Sequence, residues 1–95
     1  MSKLFTLRES ALFTWKASQL GSSQKMDDLL SGLLWAIARL ADDFPLVEGT
    51  EHLRVAESKR FIREDGTPVR LRLWFALTSE SEVDLLTIEA EEDWP

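Results

Sequence analysis

The chain has no cysteine and no tyrosine, and a single histidine among its 95 residues. The missing thiols exclude disulfide frameworks, redox dithiols, thiol nucleophiles and every zinc site that needs thiolate. One imidazole cannot make a histidine cluster, and the acids nearest His52, Glu48 and Glu51, supply no second nitrogen ligand. His52 is also the sole imidazole that a serine nucleophile could use as its base, and no serine sits in a glycine-flanked elbow. The four glycines, at 21, 32, 49 and 66, are scattered, so no phosphate-cradling loop is present. The longest mostly apolar run, from Leu29 to Ala41, is too short to span a bilayer, and the N-terminus lacks a basic segment followed by an apolar stretch. These absences predict a cytoplasmic protein without cofactor, metal or membrane contact, and they assign no catalytic residue.

What is there is apolar enough to fold. Hydrophobic residues make up 44% and charged residues 29%, more apolar material than a disordered acidic tail carries. The length suits one domain over residues 1–95, and no linker or repeat divides it. The net charge of −6 is unevenly placed: residues 1–52 hold five bases and seven acids, residues 53–79 six bases and three acids, and residues 80–95 seven acids and no base. The middle is therefore basic and the end acidic, with an acidic tail from about residue 89. Adjacent strands of opposite sign would pair across a sheet, each pair worth about 0.2–1 kcal/mol; alternatively, one of the two surfaces faces a partner. A net-negative field repels a polyanion, so direct nucleic-acid binding is disfavoured.

Periodicity predicts the elements. Residues 3–8 suit a strand and residues 9–20 a helix, with Phe13, Ala17 and Leu20 on one side and Gly21 following it. A rival reading pairs Leu4-Phe5-Thr6 with Leu12-Phe13-Thr14 as a hairpin. A second helix, capped by Ser22 or Ser23, carries Met26, Leu29, Leu30, Leu33, Ile37, Leu40 and Ala41 at helical spacing and ends before Pro45. Trp15 and Trp35, on these helices, are expected in the core, and Trp94 outside it. Beyond Thr50 the period becomes two. Leu53, Val55 and Phe61 share one parity and Arg54, Ser58 and Arg60 the other; Asp65-Gly66 marks a hairpin; Val69, Leu71, Leu73, Phe75 and Leu77 alternate strictly. In the last strand, residues 83–90, the apolar parity changes, which calls for burial on both faces or a bulge near Leu85. The result is an α+β domain of order β-α-α-β-β-β, an antiparallel meander packed against a helical hairpin.

Two sets of residues are candidates for partner binding. Arg70, Arg72 and Trp74 project from the side of their strand opposite the apolar row, with Arg54 and Arg60 expected to join them from a neighbouring strand; guanidinium groups around an indole grip phosphates, bases or acidic proteins. The competing arrangement pairs these arginines with Asp84 on the adjacent strand. The second set is Glu91, Glu92, Asp93 and Trp94 at the chain end. Glu89, Glu91 and Asp93 would share a face as a solvated row rather than an acid–base pair, because their mutual charge opposes the burial that raises a carboxylate pKa.

The element order, with Ala36-Ile37-Ala38-Arg39-Leu40-Ala41, Leu53-Arg54-Val55-Ala56, Arg70-Leu71-Arg72-Leu73-Trp74-Phe75-Ala76 and Val83-Asp84-Leu85-Leu86-Thr87-Ile88, resembles the RelE/ParE superfamily of bacterial toxins. The resemblance implies a small cytosolic toxin encoded beside an antitoxin that wraps it; ribosome-dependent members cleave mRNA with a cationic site, and ParE-like members inhibit DNA gyrase. Nuclease members present basic and aromatic groups near the end of the chain. Here that segment reads Glu89-Ala90-Glu91-Glu92-Asp93-Trp94-Pro95, which points to macromolecular binding of the ParE kind, or a degenerate copy, rather than RNA cleavage. Two alternatives come from other classes: an acidic phage- or plasmid-type inhibitor whose residues 80–93 occupy a basic site on a nucleic-acid-binding target, and a homodimer formed by self-pairing of an edge strand.

Overall fold

A computed structural model describes residues 4–21 and 23–95. The elements run β1 (Thr6–Glu9), α1 (Ala11–Ser18), α2 (Gln24–Leu40), a 3-10 turn (Ala41–Asp43), β2 (Leu53–Glu57), β3 (Phe61–Ile62), β4 (Pro68–Leu77) and β5 (Glu82–Glu92). Both helices pack on one side of a five-stranded sheet, giving the α+β architecture read from the sequence. The strand order β1-β5-β4-β2 modifies the plain meander. The later strands are antiparallel as expected, but β1 joins beside β5 and runs parallel to it, Thr6–Glu9 against Glu82–Leu85.

Each helix starts at a serine. Ser10 Oγ accepts the amide of Phe13 at 3.0 Å and opens α1, so residues 11–18 are helical and the rival hairpin is excluded. Ser23 Oγ accepts the amide of Met26 at 3.1 Å and opens α2. The alternative cap Ser22, and Lys3 at the expected start of the first strand, lie outside the described residues. Pro45 holds Phe44 extended after the 3-10 turn.

The two helix tryptophans are not in the core: Trp15 is 59% and Trp35 58% exposed. Each stands two residues from a buried anchor, Phe13 in α1 and Leu33 and Ile37 in α2. Two residues turn a helix by about 200°, so the indoles face outward. Arg39, one turn on, lies 4.0 Å from the centre of the Trp35 ring. Trp94, at 63%, is exposed as expected.

In β4, Val69, Leu71, Leu73 and Phe75 are fully buried, each contributing about 1.5–3 kcal/mol by its burial. The neighbours of this regular strand slip. In β5, Trp74 pairs with Thr87 and Phe75 with Leu85, so Leu86 is an extra residue. The bulge lets Val83 and Leu85 before it, and Ile88 after it, reach the same core. The strand expected around 53–61 is likewise split. Ser58 donates its amide to Leu71 O and accepts the Leu71 amide on Oγ, both at 2.9 Å, and one residue more than on β4 separates it from the Phe61–Val69 pair. The serine hydroxyl thus replaces a backbone acceptor and lets β2 and β3 share one edge of β4.

The β3–β4 hairpin closes at Arg63–Thr67. The Gly66 amide donates to Arg63 O and the Arg63 amide to Thr67 O, with Gly66 at φ +88°, a backbone region that glycine enters without strain. Thr67 donates its amide to Asp65 Oδ1 at 2.9 Å, and this bond holds the Asp65 carboxyl below its usual pKa.

Ser58→Ala leaves the buried Leu71 amide without its acceptor and should lower unfolding stability by about 1–3 kcal/mol in a denaturant titration; an unchanged midpoint would mean another group replaces the hydroxyl. For Asp65, the depressed folded pKa makes its contribution complete above the unfolded value near ~3.9 and lost as pH falls through the folded value. Its carboxyl titration, followed by NMR, should have a midpoint under that of a free aspartate, with the Thr67 amide moving in parallel.

Candidate functional site

With the helices on one side, the other side of the sheet is open. Its side chains follow from the register: Leu53, Val55 and Glu57 of β2 stand opposite Ala76, Trp74 and Arg72 of β4, while Thr87, Glu89 and Glu91 of β5 stand opposite Trp74, Arg72 and Arg70. Directly opposed residues in antiparallel strands point the same way. The face therefore has a polar half around Arg70 and Arg72 and an apolar half around Trp74.

The polar half is a chain of alternating charges. Arg60 Nε lies 3.4 Å from Asp93 Oδ2, which lies 3.1 Å from Arg70; Arg70 is 3.4 Å from Glu57 Oε2, which is 3.6 Å from Arg72; and Arg72 is 3.3 Å from Glu91 Oε2. The basic middle and the acidic end are thus paired across the sheet, but the carboxylates belong to Glu57, Glu91 and Asp93. Asp84 instead meets Arg8 at 3.6 Å, beside the Arg8–Glu82 pair at 3.0 Å. Glu82 and Asp84 hold the Arg8 guanidinium above its usual pKa. The side chains of Glu57, Arg70, Arg72, Glu91 and Asp93 are all partly exposed, so each of their pairs stabilises the fold by no more than about 1 kcal/mol. Their larger effect is on the field, since neither the arginines nor the carboxylates face solvent as a block of one sign.

Arg54 is not on this face. It stands opposite Phe75, and Ala56 opposite Leu73, so β2 presents the parity contrary to expectation. The arginine is tolerated beside the core because its guanidinium donates to the carbonyls of Asp42 and Phe44, groups left without helical partners where α2 and its 3-10 turn end. It thereby fixes the segment whose Phe44 ring meets Phe75 edge-on at 5.7 Å. Arg54 is a structural clamp, while Leu53 and Val55 join the open face.

The acidic residues do not form a free tail. Residues 89–92 continue β5. Glu89 meets Lys16 of α1 at 3.4 Å, Glu91 and Asp93 pair as described, and Glu92 accepts the Trp94 indole N–H at 3.2 Å. Trp94 lies beyond the strand and is turned back on Glu92. The edge of β2 is covered, since Val47 donates to Leu53 O and Val55 to Pro45 O; self-pairing there would have to displace residues 45–47.

The apolar half holds a groove of about 460 Å³ lined by Leu53, Trp74, Leu86, Thr87, Glu89 and Glu91. Leu86 and Thr87 enter it together because the bulge turns consecutive residues to one side. Arg72 flanks the indole, its guanidinium carbon 6.0 Å from the ring centre. Of the residues singled out in the sequence, the structure brings Arg60, Arg70, Arg72, Trp74, Glu91 and Asp93 together; Arg54, Glu92 and Trp94 lie apart from them. Glu57, Leu53 and Leu86 were not anticipated, and the parity change near Leu85 was the one signal that pointed to Leu86.

A scan of the chain against protein-family models gives no match, and a search of curated protein sequences gives none either. Among the described residues, no helix is long and apolar enough to cross a membrane, and no group of three or more His, Cys, Asp or Glu side chains could hold a metal ion.

The two arginines make a direct comparison. Arg54→Ala removes charge-assisted bonds to the carbonyls of Asp42 and Phe44, the latter part-buried, and should destabilise by about 1.5–3 kcal/mol. Arg72→Ala breaks two partly exposed pairs and should cost less than Arg54→Ala, and less still at high salt. Denaturant midpoints at low and high ionic strength check the order, which equal losses would contradict.

Proposed function

We propose that this chain is a toxin-family protein of the RelE/ParE kind that acts by binding a macromolecular partner, without cutting RNA, and that a cognate antitoxin neutralises it. The fold runs β-α-α-β-β-β-β; β2 and β3 share one edge of β4, and counting them as one interrupted strand gives the β-α-α-β-β-β order on which the resemblance rests. One observation carries the choice between binding and cleavage: the arginines of the open face each have a carboxylate from the chain itself at 3.1–3.6 Å. A cationic row that grips RNA phosphates has to offer charge that the protein has not already neutralised. The acidic-inhibitor alternative is weakened because it needs a continuous row of unpaired carboxylates, and Glu82, Asp84 and Asp93 each meet an arginine.

Induced expression in a bacterial host should slow growth while cellular mRNA stays intact, and co-expression of the neighbouring reading frame should relieve the effect. Normal growth at high expression overturns the active-toxin reading. Growth arrest accompanied by rapid mRNA cleavage overturns the binding mechanism.

A further inference from the structure

The groove over Trp74 has a definite chemical character. Its floor is apolar, formed by Leu53, Trp74 and Leu86, and the carboxylates of Glu89 and Glu91 stand at one rim. Glu89 accepts from Lys16 on Oε1 at 3.4 Å and is 45% exposed; Glu91 is 39% exposed and meets Arg72 Nη1 with both oxygens, at 3.3 and 3.4 Å. A carboxylate can accept about four hydrogen bonds on its two oxygens, so a single cationic partner leaves accepting capacity on each. An indole face adds attraction for a cation within about 6 Å. Aliphatic floor, indole and carboxylate rim together match a side chain that is apolar along its stem and cationic at its end.

Resting on the reading that this chain works by binding a protein, we propose that the Trp74 groove receives an extended segment of a basic partner. The segment lays an aliphatic side chain on Leu53 and Leu86 and sets a neighbouring Lys or Arg head between Glu89 and Glu91. Charge complementarity selects this occupant. The molecule carries a net charge of −6, which accelerates the approach of a basic partner and opposes an acidic one. A second copy of the chain would bring together two molecules that each carry a net charge of −6, so the partner is a different protein.

The test uses the whole protein, labelled with ¹⁵N, and three synthetic peptides that alternate leucine with arginine, serine with arginine, and leucine with glutamate. The leucine–arginine peptide should shift the Trp74 indole N–H and the amides of Leu53, Leu86 and Thr87. Trp74→Ala should weaken its binding at least about tenfold, as loss of a buried aromatic anchor does, while Trp15→Ala leaves it unchanged. Glu89→Gln with Glu91→Gln should weaken it several-fold and flatten its salt dependence. The other two peptides should bind at least about tenfold more weakly, one lacking the apolar contact and the other the charge. Equal binding of the serine–arginine peptide, shifts centred on Trp15 or Trp35, or no shift at millimolar peptide each overturns the proposal. Trp74 lies outside the buried core, and circular dichroism of the variants separates loss of binding from loss of fold. The growth assay separates this inference from the reading beneath it. Arrest undiminished in Trp74→Ala keeps the toxin reading and overturns the groove; peptide capture at Trp74 by a chain that leaves growth unaffected does the reverse.

Discussion

A strand whose apolar residues occupy odd positions in one half and even positions in the other can bury them on one face only by inserting a residue where the parity changes. In β5 that residue is Leu86, lying between Leu85, opposite Phe75, and Thr87, opposite Trp74. Without it, either Val83 and Leu85 or Ile88 would be turned out of the core. The insertion also positions α1: Ser10 donates its amide to Leu85 O at 3.1 Å and its hydroxyl to Leu86 O at 2.9 Å, while the same oxygen caps the helix. One serine thus joins the helix start to the irregular point of the sheet, and the displaced Leu86 becomes a wall of the groove on the opposite side.

The other neighbour of β4 solves a similar problem by different chemistry. Between Glu57 and Phe61 the edge gains a residue, and Ser58 Oγ takes the Leu71 amide that a backbone carbonyl would take in a regular ladder. The central strand keeps strict alternation because both irregularities fall on its neighbours. That arrangement is favourable: β4 supplies four fully buried side chains, where a break in alternation would be felt most, whereas its neighbours can bend and turn an extra residue away from the core.

How far each feature could be read from the residues follows the same division. Alternation over Val69–Leu77 is legible because burial of one face leaves no other register, and Asp65-Gly66 is legible because its turn needs a residue at positive φ. The parity of residues 53–60 is not. Arg54 stands on the helix side only because the carbonyls of Asp42 and Phe44 receive its guanidinium, and a side-chain bond across a dozen residues leaves no periodic trace. Trp15 and Trp35 show the limit of hydrophobicity itself: it states what a residue gains by burial, not whether its angle on the helix grants it. For the site, the arginine strand and the acidic strand were visible as blocks, but Glu57, which bridges Arg70 and Arg72, was hidden within the basic block.

The net charge of −6 therefore describes the far field and very little of the near one. At distances beyond about 8–10 Å at physiological salt, screening reduces even that field, and at contact most of the charge on the open face is already matched within the molecule. Additional affinity must then come from surface that loses little on desolvation, which on this face is the indole of Trp74 with Leu53 and Leu86. In the binding mode proposed for that groove, attraction and retention fall to different residues: distributed acids raise the rate of encounter, and a small apolar floor slows departure. Glu89 and Glu91 contribute to both, standing in the sheet beside the arginines and at the rim of the groove.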